Sequence, residues 1–145
     1  MFNPSRDQAR DFLFEAWRKY GANETLTALE TIAVGIIANH PEYHALLNRR
    51  EQFVDRDYAP EHGETNPFLH LSMHLAIQEQ IAIDQPRGVR DAHQKLMMNL
   101  GTSWAAEHEI MDCLAEMIWQ AQQMKTAPNA EIYMKCIAAK LLKFT

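Results

Sequence analysis

The stretch that decides the fold is Asn66–Asp84, NPFLHLSMHLAIQEQIAID. It opens with a typical helix start, because Asn is a favoured N-cap residue and Pro67 suits the first helical position. At 100° per residue, apolar side chains lie on nearly every side, which predicts a buried, central helix. His70 and His74 are one turn apart and share a face. Buried polar side chains need partners, so the same stretch predicts both a helical core and a candidate site.

The rest of the chain repeats the helical period, and no stretch alternates as a strand would. We predict an all-α fold, a single compact helical bundle of five to six helices, with residues 1–145 as one domain. Start and stop signals place six helices at 4–21, 27–39, 67–84, 89–100, 103–125 and from 128 onward, and Pro41 can open a further short one to about 47. The first helix is expected to be capped by Asn3. Residues 48–66 show no period, and we predict one long acidic loop there, with its acidic part at 55–66.

Charge and hydropathy exclude several classes of partner. The 145 residues carry 14 Lys plus Arg against 19 Asp plus Glu, a net charge of -5. This predicts no nucleic-acid partner, which would call for a surplus of basic side chains, and no anionic membrane partner. No run of 18 apolar residues or secretory signal is visible, so we expect a cytoplasmic protein. Cys113 and Cys136 are expected to be reduced and mostly buried thiols. A homo-oligomer is compatible with the sequence, which identifies no protein partner.

Two histidine pairs have the i, i+4 spacing, His40 with His44 and His70 with His74. Two imidazoles on one helical face can both reach a metal ion at about 2.0–2.1 Å from each nitrogen. We interpret His70 and His74 as metal ligands; the alternative is a pair of core histidines bonded to carboxylates or carbonyls. His44 is the better candidate of the first pair, since His40 also suits a helix C-terminus.

The helix at 103–125 supplies two further candidates. Glu107 lies in the middle of its apolar stripe, where a carboxylate is costly unless it is paired or bound to a metal. The alternative is a carboxylate that meets the positive end of the helix dipole. His108 borders the same stripe. The sequence therefore predicts a site for one divalent transition metal (zinc, iron or nickel), with His70, His74 and His108 as ligands and His44 or Glu107 as the fourth.

No motif identifies a reaction, so whether the protein is an enzyme stays open. The chain has no HExxH, no Glu-x-x-His, no CxxC and no phosphate-binding glycine loop. A water molecule in a fourth metal position would permit hydrolytic or other Lewis-acid chemistry. The alternative function is a non-catalytic structural or interaction module with structural core histidines. A third is a metal-free bundle that binds a small molecule near His70 and Glu107.

Several segments carry a family resemblance over nearly the whole chain. They are NPSRDQAR at 3–10, AWRKY at 16–20, HPEYH at 40–44, GETNPFLH at 63–70 and AAEHEIMDCLAEMIWQAQ at 105–122. Together they resemble the bacterial proteins grouped as domain-of-unknown-function family 1841. The resemblance implies no activity. The five histidines His40, His44, His70, His74 and His108 fall within these motifs.

Overall fold

The computed structural model describes residues 5–58 and 66–145. Over these residues the chain is all-helical, with eight α-helices, one short 3-10 turn and no strand. The helices are α1 (Arg6–Gly21), α2 (Ala28–Ala38), α3 (His44–Leu47), α4 (Arg50–Phe53), α5 (Pro67–Ile83), α6 (Val89–Leu100), α7 (Ser103–Met124) and α8 (Ala130–Lys143). The all-α prediction is confirmed. The predicted count of five to six is too low, because it leaves out the short segment after Pro41 and because the four residues of α4 are too few to show a period.

The chain divides into two compact units, Met1–Leu75 and Ala76–Thr145. The first unit contains α1 to α4 and the beginning of α5, and the second contains the end of α5 and α6 to α8. The division falls inside α5, the helix that the sequence predicts to be central. A single domain over 1–145 stays a prediction.

In the first unit, α1 and α2 pack together and both begin at capping boxes. The Thr27 hydroxyl accepts from the backbone N–H of Glu30, whose carboxylate accepts from the backbone N–H of Thr27, as the sequence predicts. The predicted Asn3 cap is wrong. Ser5 caps α1 in a box with Gln8, and Asn3 lies outside the described residues. The buried core of these two helices contains Leu13, Phe14, Ala16, Ala33, Val34, Ile36 and Ile37.

Part of the segment after α3 is held against α1 by hydrogen bonds. The helix α4 occupies part of the predicted loop, and residues 59–65, most of its acidic part, lie outside the described residues. Arg10 of α1 is only 2% exposed and donates from Nη1 to the carbonyl oxygens of Val54 and Arg56, at 2.9 and 2.8 Å. Its guanidinium also lies 4.5 Å from the ring centre of Phe68 at the start of α5. One buried cation thus joins three segments of the first unit.

In the second unit, α6, α7 and α8 pack pairwise. Gly101 ends α6 with φ 94°, a conformation that favours glycine, and the Thr102 hydroxyl caps α7 by accepting from the N–H of Ala105. Asn129 caps α8, which begins at Ala130, two residues after the predicted start at 128. These signals reproduce the predicted order of helices. The buried apolar residues of α6 to α8 are Val89, Ala92, Leu96, Ala106, Ile110, Met111, Leu114, Tyr133 and Ile137.

The expectation that the two cysteines are reduced thiols is wrong. Cys113 of α7 and Cys136 of α8 form a disulfide with Cα atoms 5.5 Å apart, rather than two reduced thiols. Cys113 is fully buried, so the prediction of burial holds for that residue. The pairing could not be read from the sequence, because the approach of α7 and α8 is a tertiary feature.

Among the described helices, none combines the length and apolar character that a membrane span requires.

Candidate metal centre

Two ligand candidates are fixed by the first turns of α5. The side-chain oxygen of Asn66 accepts from the backbone N–H groups of Phe68 and Leu69, at 3.0 and 3.1 Å. This cap and Pro67 set the start of the helix. His70 and His74 then follow one turn apart, on the same face, as the spacing predicts. Their ring centres are 4.9 Å apart.

The third histidine comes from the end of α2. Asn39 is the C-cap residue of α2, and Pro41 opens the following 3-10 turn (Pro41–Tyr43), so His40 lies between two helical segments. Its ring nitrogen Nδ1 lies 2.7 Å from the carbonyl oxygen of Ile36. Because a carbonyl oxygen only accepts, Nδ1 carries the proton and the lone pair of the neutral ring is on Nε2.

That lone pair faces a second histidine of the first unit. Nε2 of His40 lies 3.2 Å from Nε2 of His70. Two nitrogens that bind one tetrahedral metal ion at about 2.05 Å would be separated by about 3.3 Å. The hydrogen bond from His40 to a backbone carbonyl is also the outer contact that orients most metal-binding histidines. The ring of His40 is therefore in a ligand's position and in a ligand's tautomer.

His74 completes a group of three rings. The ring centre of His40 is 5.0 Å from that of His70 and 4.8 Å from that of His74, with all three pairs close to edge-on. One nitrogen from each ring lies within 4.8 Å of one nitrogen of the other two. His74 is fully buried, His40 is 4% exposed and His70 is partly exposed. The three side chains can converge on one ion, with His70 on the accessible side.

Tyr43 borders this group. Its ring is parallel to that of His40, with centres 5.6 Å apart, and lies 6.0 Å from that of His70. Burial raises the pKa of Tyr43, so the phenol is neutral near pH 7. Tyr43 was not among the candidates predicted from the sequence, although its place three residues after His40 was a helical-spacing signal for contact.

The structure gives His44 other partners. Its Nε2 donates to the carbonyl oxygen of Ile37 at 2.8 Å, and its ring packs on Trp17 with centres 4.6 Å apart. The sequence ranked His44 above His40, but the structure brings His40 to the pair on α5. The 3-10 turn after Pro41 replaces the regular helix that the spacing of His40 and His44 assumes, so the two rings diverge.

Glu107 and His108 lie in the second unit, on α7. Glu107 is 2% exposed and accepts hydrogen bonds from Ser103 Oγ and Gln78 Nε2. It is therefore a buried carboxylate with polar partners, as its place in the apolar stripe requires. His108 is exposed on the same helix. Their part in metal binding remains a prediction from the sequence.

The chemistry open to the three-histidine group follows from its imidazole side chains. Neutral imidazole is a good ligand for zinc, copper, iron and nickel, and it does not reduce the positive charge of the ion. An ion held by three such rings keeps its full charge as a Lewis acid when a further position is open. The geometry is therefore compatible with a catalytic or a structural metal ion.

Comparison with known proteins places the chain in a family. The model of family DUF1841, described as a domain of unknown function, matches residues 5–139. The chain belongs to this family, and the resemblance inferred from its sequence motifs is confirmed. No curated protein and no solved structure shows significant similarity to it.

Proposed function

We propose that this protein binds one divalent transition-metal ion through His40, His70 and His74. The observation that carries the proposal is the 3.2 Å separation of the Nε2 atoms of His40 and His70, with Nδ1 of His40 donating to a backbone carbonyl. Both Nε2 atoms can bind one ion with neutral rings when the ring proton of His70 is on Nδ1 instead of between the two Nε2 atoms. Binding would replace one hydrogen bond by two metal–nitrogen bonds.

The proposal keeps His108 as the fourth protein ligand. Its support is the sequence, in which an imidazole at this position borders the apolar stripe of α7. If His108 binds, four imidazoles close the coordination sphere and the ion is structural. If it does not, water fills the open position and the ion can polarise a carbonyl or activate that water. His44 and Glu107 are the other sequence candidates for this position.

Calorimetric titration of the metal-free protein with zinc, nickel and, under anaerobic conditions, iron(II) tests the proposal. We expect one ion per chain. His40→Ala and the double variant His70→Ala/His74→Ala should lose that binding. His93→Gln is the matched control, because it removes an imidazole of the second unit that is outside the three-histidine group. Loss of binding in His93→Gln alone, with full binding in the double variant, would reject the assignment.

The fourth position is tested separately. Substitution of a bound protein ligand by Ala removes one metal–nitrogen or metal–oxygen bond and weakens binding. A fall in zinc affinity in His108→Ala, with none in His44→Ala and Glu107→Gln, would support His108. Equal affinity in all three variants would favour water at that position.

A second candidate function has its own supporting observation. The same contact between His40 and His70 is a good hydrogen bond when one ring donates and the other accepts. The histidines would then be structural groups of a non-catalytic interaction module. Under this alternative a chelator leaves the melting temperature unchanged, whereas a bound metal ion stabilises the folded state by an amount that rises with the logarithm of its affinity.

We also propose that the protein is cytoplasmic. The redox state of its two cysteines in the cell is the most direct test of that location. Disulfides persist mainly in oxidising compartments and are rare in the cytoplasm. Trapping the thiols of Cys113 and Cys136 in intact cells, before lysis, measures their state. Trapped thiols would support a cytoplasmic protein whose disulfide forms after oxidation. An intact disulfide would favour an oxidising compartment.

A further inference from the structure

The second unit contains a polar cleft that the metal proposal does not use. Its volume is about 300 Å³, at the lower end of the range for small-ligand sites. The walls come from the end of α5 and the starts of α6 and α7. The lining residues are Gln78, Ile81, Ala82, His93, Ser103 and Glu107.

A chain of hydrogen bonds crosses this cleft. The Ser103 hydroxyl donates to Oε2 of Glu107 at 3.1 Å, and Nε2 of His93 lies 3.1 Å from the same hydroxyl oxygen. Because that hydroxyl has one proton and gives it to a carboxylate, His93 is the donor in its own contact. Nε2 of Gln78 donates to both oxygens of Glu107, at 3.3 and 3.4 Å.

The directions of these hydrogen bonds determine which atoms of the cleft a ligand can bind. The protons of Ser103 and of Nε2 of His93 point towards other protein groups. Among the lining residues, the side-chain acceptor atoms with no hydrogen bond of their own are the amide oxygen of Gln78 and Nδ1 of His93, and they lie beside the carboxylate of Glu107, which already accepts from Ser103 and Gln78. Burial lowers the pKa of His93, so its ring is neutral near pH 7 and adds no positive charge to the wall. The lining of the cleft therefore combines one hydrogen-bonded carboxylate with further acceptor atoms.

The neighbouring Arg90 uses its guanidinium to bond backbone carbonyl oxygens of α5. Its guanidinium donates from Nε and Nη2 to the carbonyl oxygens of Ile81 and Ala82, at 2.9 and 2.6 Å. It thereby satisfies the last carbonyl groups of α5. The side chains of Ile81 and Ala82 face the cleft as its apolar wall.

We propose that this cleft binds a primary ammonium group carried on a short apolar chain. The three N–H donors of an ammonium match the acceptors of Glu107, Gln78 and His93, and its positive charge meets the carboxylate. The short alkyl part packs on Ile81 and Ala82. This is a second site, separate in its residues from the three-histidine group.

Titration by NMR with ethylammonium chloride tests the proposal. We expect saturable shifts of the backbone amides of Ser103 and Glu107 and of the side-chain amide of Gln78. Tetramethylammonium has the same charge and no N–H donor, so it should bind at least about tenfold more weakly. Equal binding of the two cations would overturn the proposal, since only general charge attraction would then be at work.

Two variants and one control assign the binding to this cleft. Glu107→Gln keeps the shape and removes the charge, and it should weaken ethylammonium binding at least about tenfold. Ala82→Leu fills the cleft from an exposed position and should block binding with the carboxylate intact. Glu116→Gln, on the exposed side of the same helix α7, should leave the affinity unchanged. Full affinity in both Glu107→Gln and Ala82→Leu would overturn the proposal.

A further probe distinguishes the two sources of a primary ammonium. Nα-acetyl-lysine amide carries the group as a protein side chain does, and ethylammonium carries it as a free amine does. Tighter binding of ethylammonium assigns the cleft to small amines, and tighter binding of the lysine derivative assigns it to a lysine side chain. Binding of neither compound would overturn the proposal.

Discussion

Nδ1 of His40 donates to the carbonyl oxygen of Ile36, four residues earlier, at 2.7 Å. This single contact fixes the tautomer of the ring and its orientation at the end of α2. It leaves Nε2 as the nitrogen that can bind a proton or a metal ion, and this nitrogen faces His70. The backbone of the first unit thus orients the ring of His40 as the proposed metal site requires.

This relationship predicts the ring chemistry of His40 in the metal-free protein. At neutral pH its Nδ1 should be protonated and its Nε2 should be the acceptor from His70. Ring nitrogen shifts from a ¹⁵N-labelled sample distinguish the two tautomers. On addition of zinc, Nε2 of His40 should shift strongly while Nδ1 stays protonated. A protonated Nε2 with a bare Nδ1 in the metal-free protein would contradict the interpretation.

Arg10 should be irreplaceable by lysine. Nη1 of its guanidinium bonds two carbonyl oxygens while the planar group lies over Phe68, and a lysine ammonium has no planar group to stack on the ring while it bonds those oxygens. We expect Arg10→Lys to lower the free energy of unfolding by about 2 kcal/mol, as for hydrogen bonds to a charged group. Urea titration measures it. Arg6→Lys is the control: Arg6 is half-exposed and pairs with Asp57, so its change should be below about 1 kcal/mol.

Because of the capping box of α2, the free energy of unfolding should depend on Thr27 and, through the carboxylate of Glu30, on pH. Thr27→Ala should lower the free energy of unfolding by about 1 kcal/mol, because it removes the acceptor for the N–H of Glu30. The exposed Thr25→Ala is the control and should have little effect. The hydrogen bond from the backbone N–H of Thr27 lowers the pKa of Glu30, and the ion pair with Lys19 adds to the effect.

The sign of the pH effect follows from this lowered pKa. The stabilisation by ionised Glu30 is complete above its unfolded pKa of about 4.3, and it is lost as the pH falls through the lower folded value. Glu30→Gln should therefore be less stable than the parent at pH 7, with the difference shrinking below about pH 4. Urea titrations at both pH values measure it. A difference that grows in acid would contradict the assignment.

The disulfide should contribute strongly to the second unit. Cys113 and Cys136 are 23 residues apart, and closing a loop of this length stabilises a fold by about 3 kcal/mol in the chain-entropy model. Adding a reductant should lower the free energy of unfolding by an amount of this order. The double variant Cys113→Ala/Cys136→Ala should no longer respond to the reductant. A parent protein with equal stability in both conditions would contradict the prediction.

Local signals predicted much of the fold. The Asn66–Pro67 start, the capping box at Thr27 and the stop at Gly101 are decided by residues within one helical turn, so the sequence shows them directly. The placement of His70 and His74 on one face could be predicted for the same reason. Because both lie within one regular helix, their spacing determines their common face.

Features that depend on tertiary contacts could not be predicted in this way. The ranking of His44 above His40 rested on the position of His40 at a helix C-terminus, but the structure turns the ring of His40 towards His70 and that of His44 towards Ile37 and Trp17. The disulfide depends on how α7 and α8 approach each other. The helix α4 has four residues, which is too short to show a hydrophobic period.

The most direct measurement is the metal content of the protein, purified without a tag or a metal-affinity column, by elemental mass spectrometry. The proposed site predicts about one zinc, iron or nickel ion per chain, and none in the folded variant His70→Ala/His74→Ala. A parent protein without metal, whose melting temperature also stays unchanged on addition of these ions, would contradict the proposed metal centre.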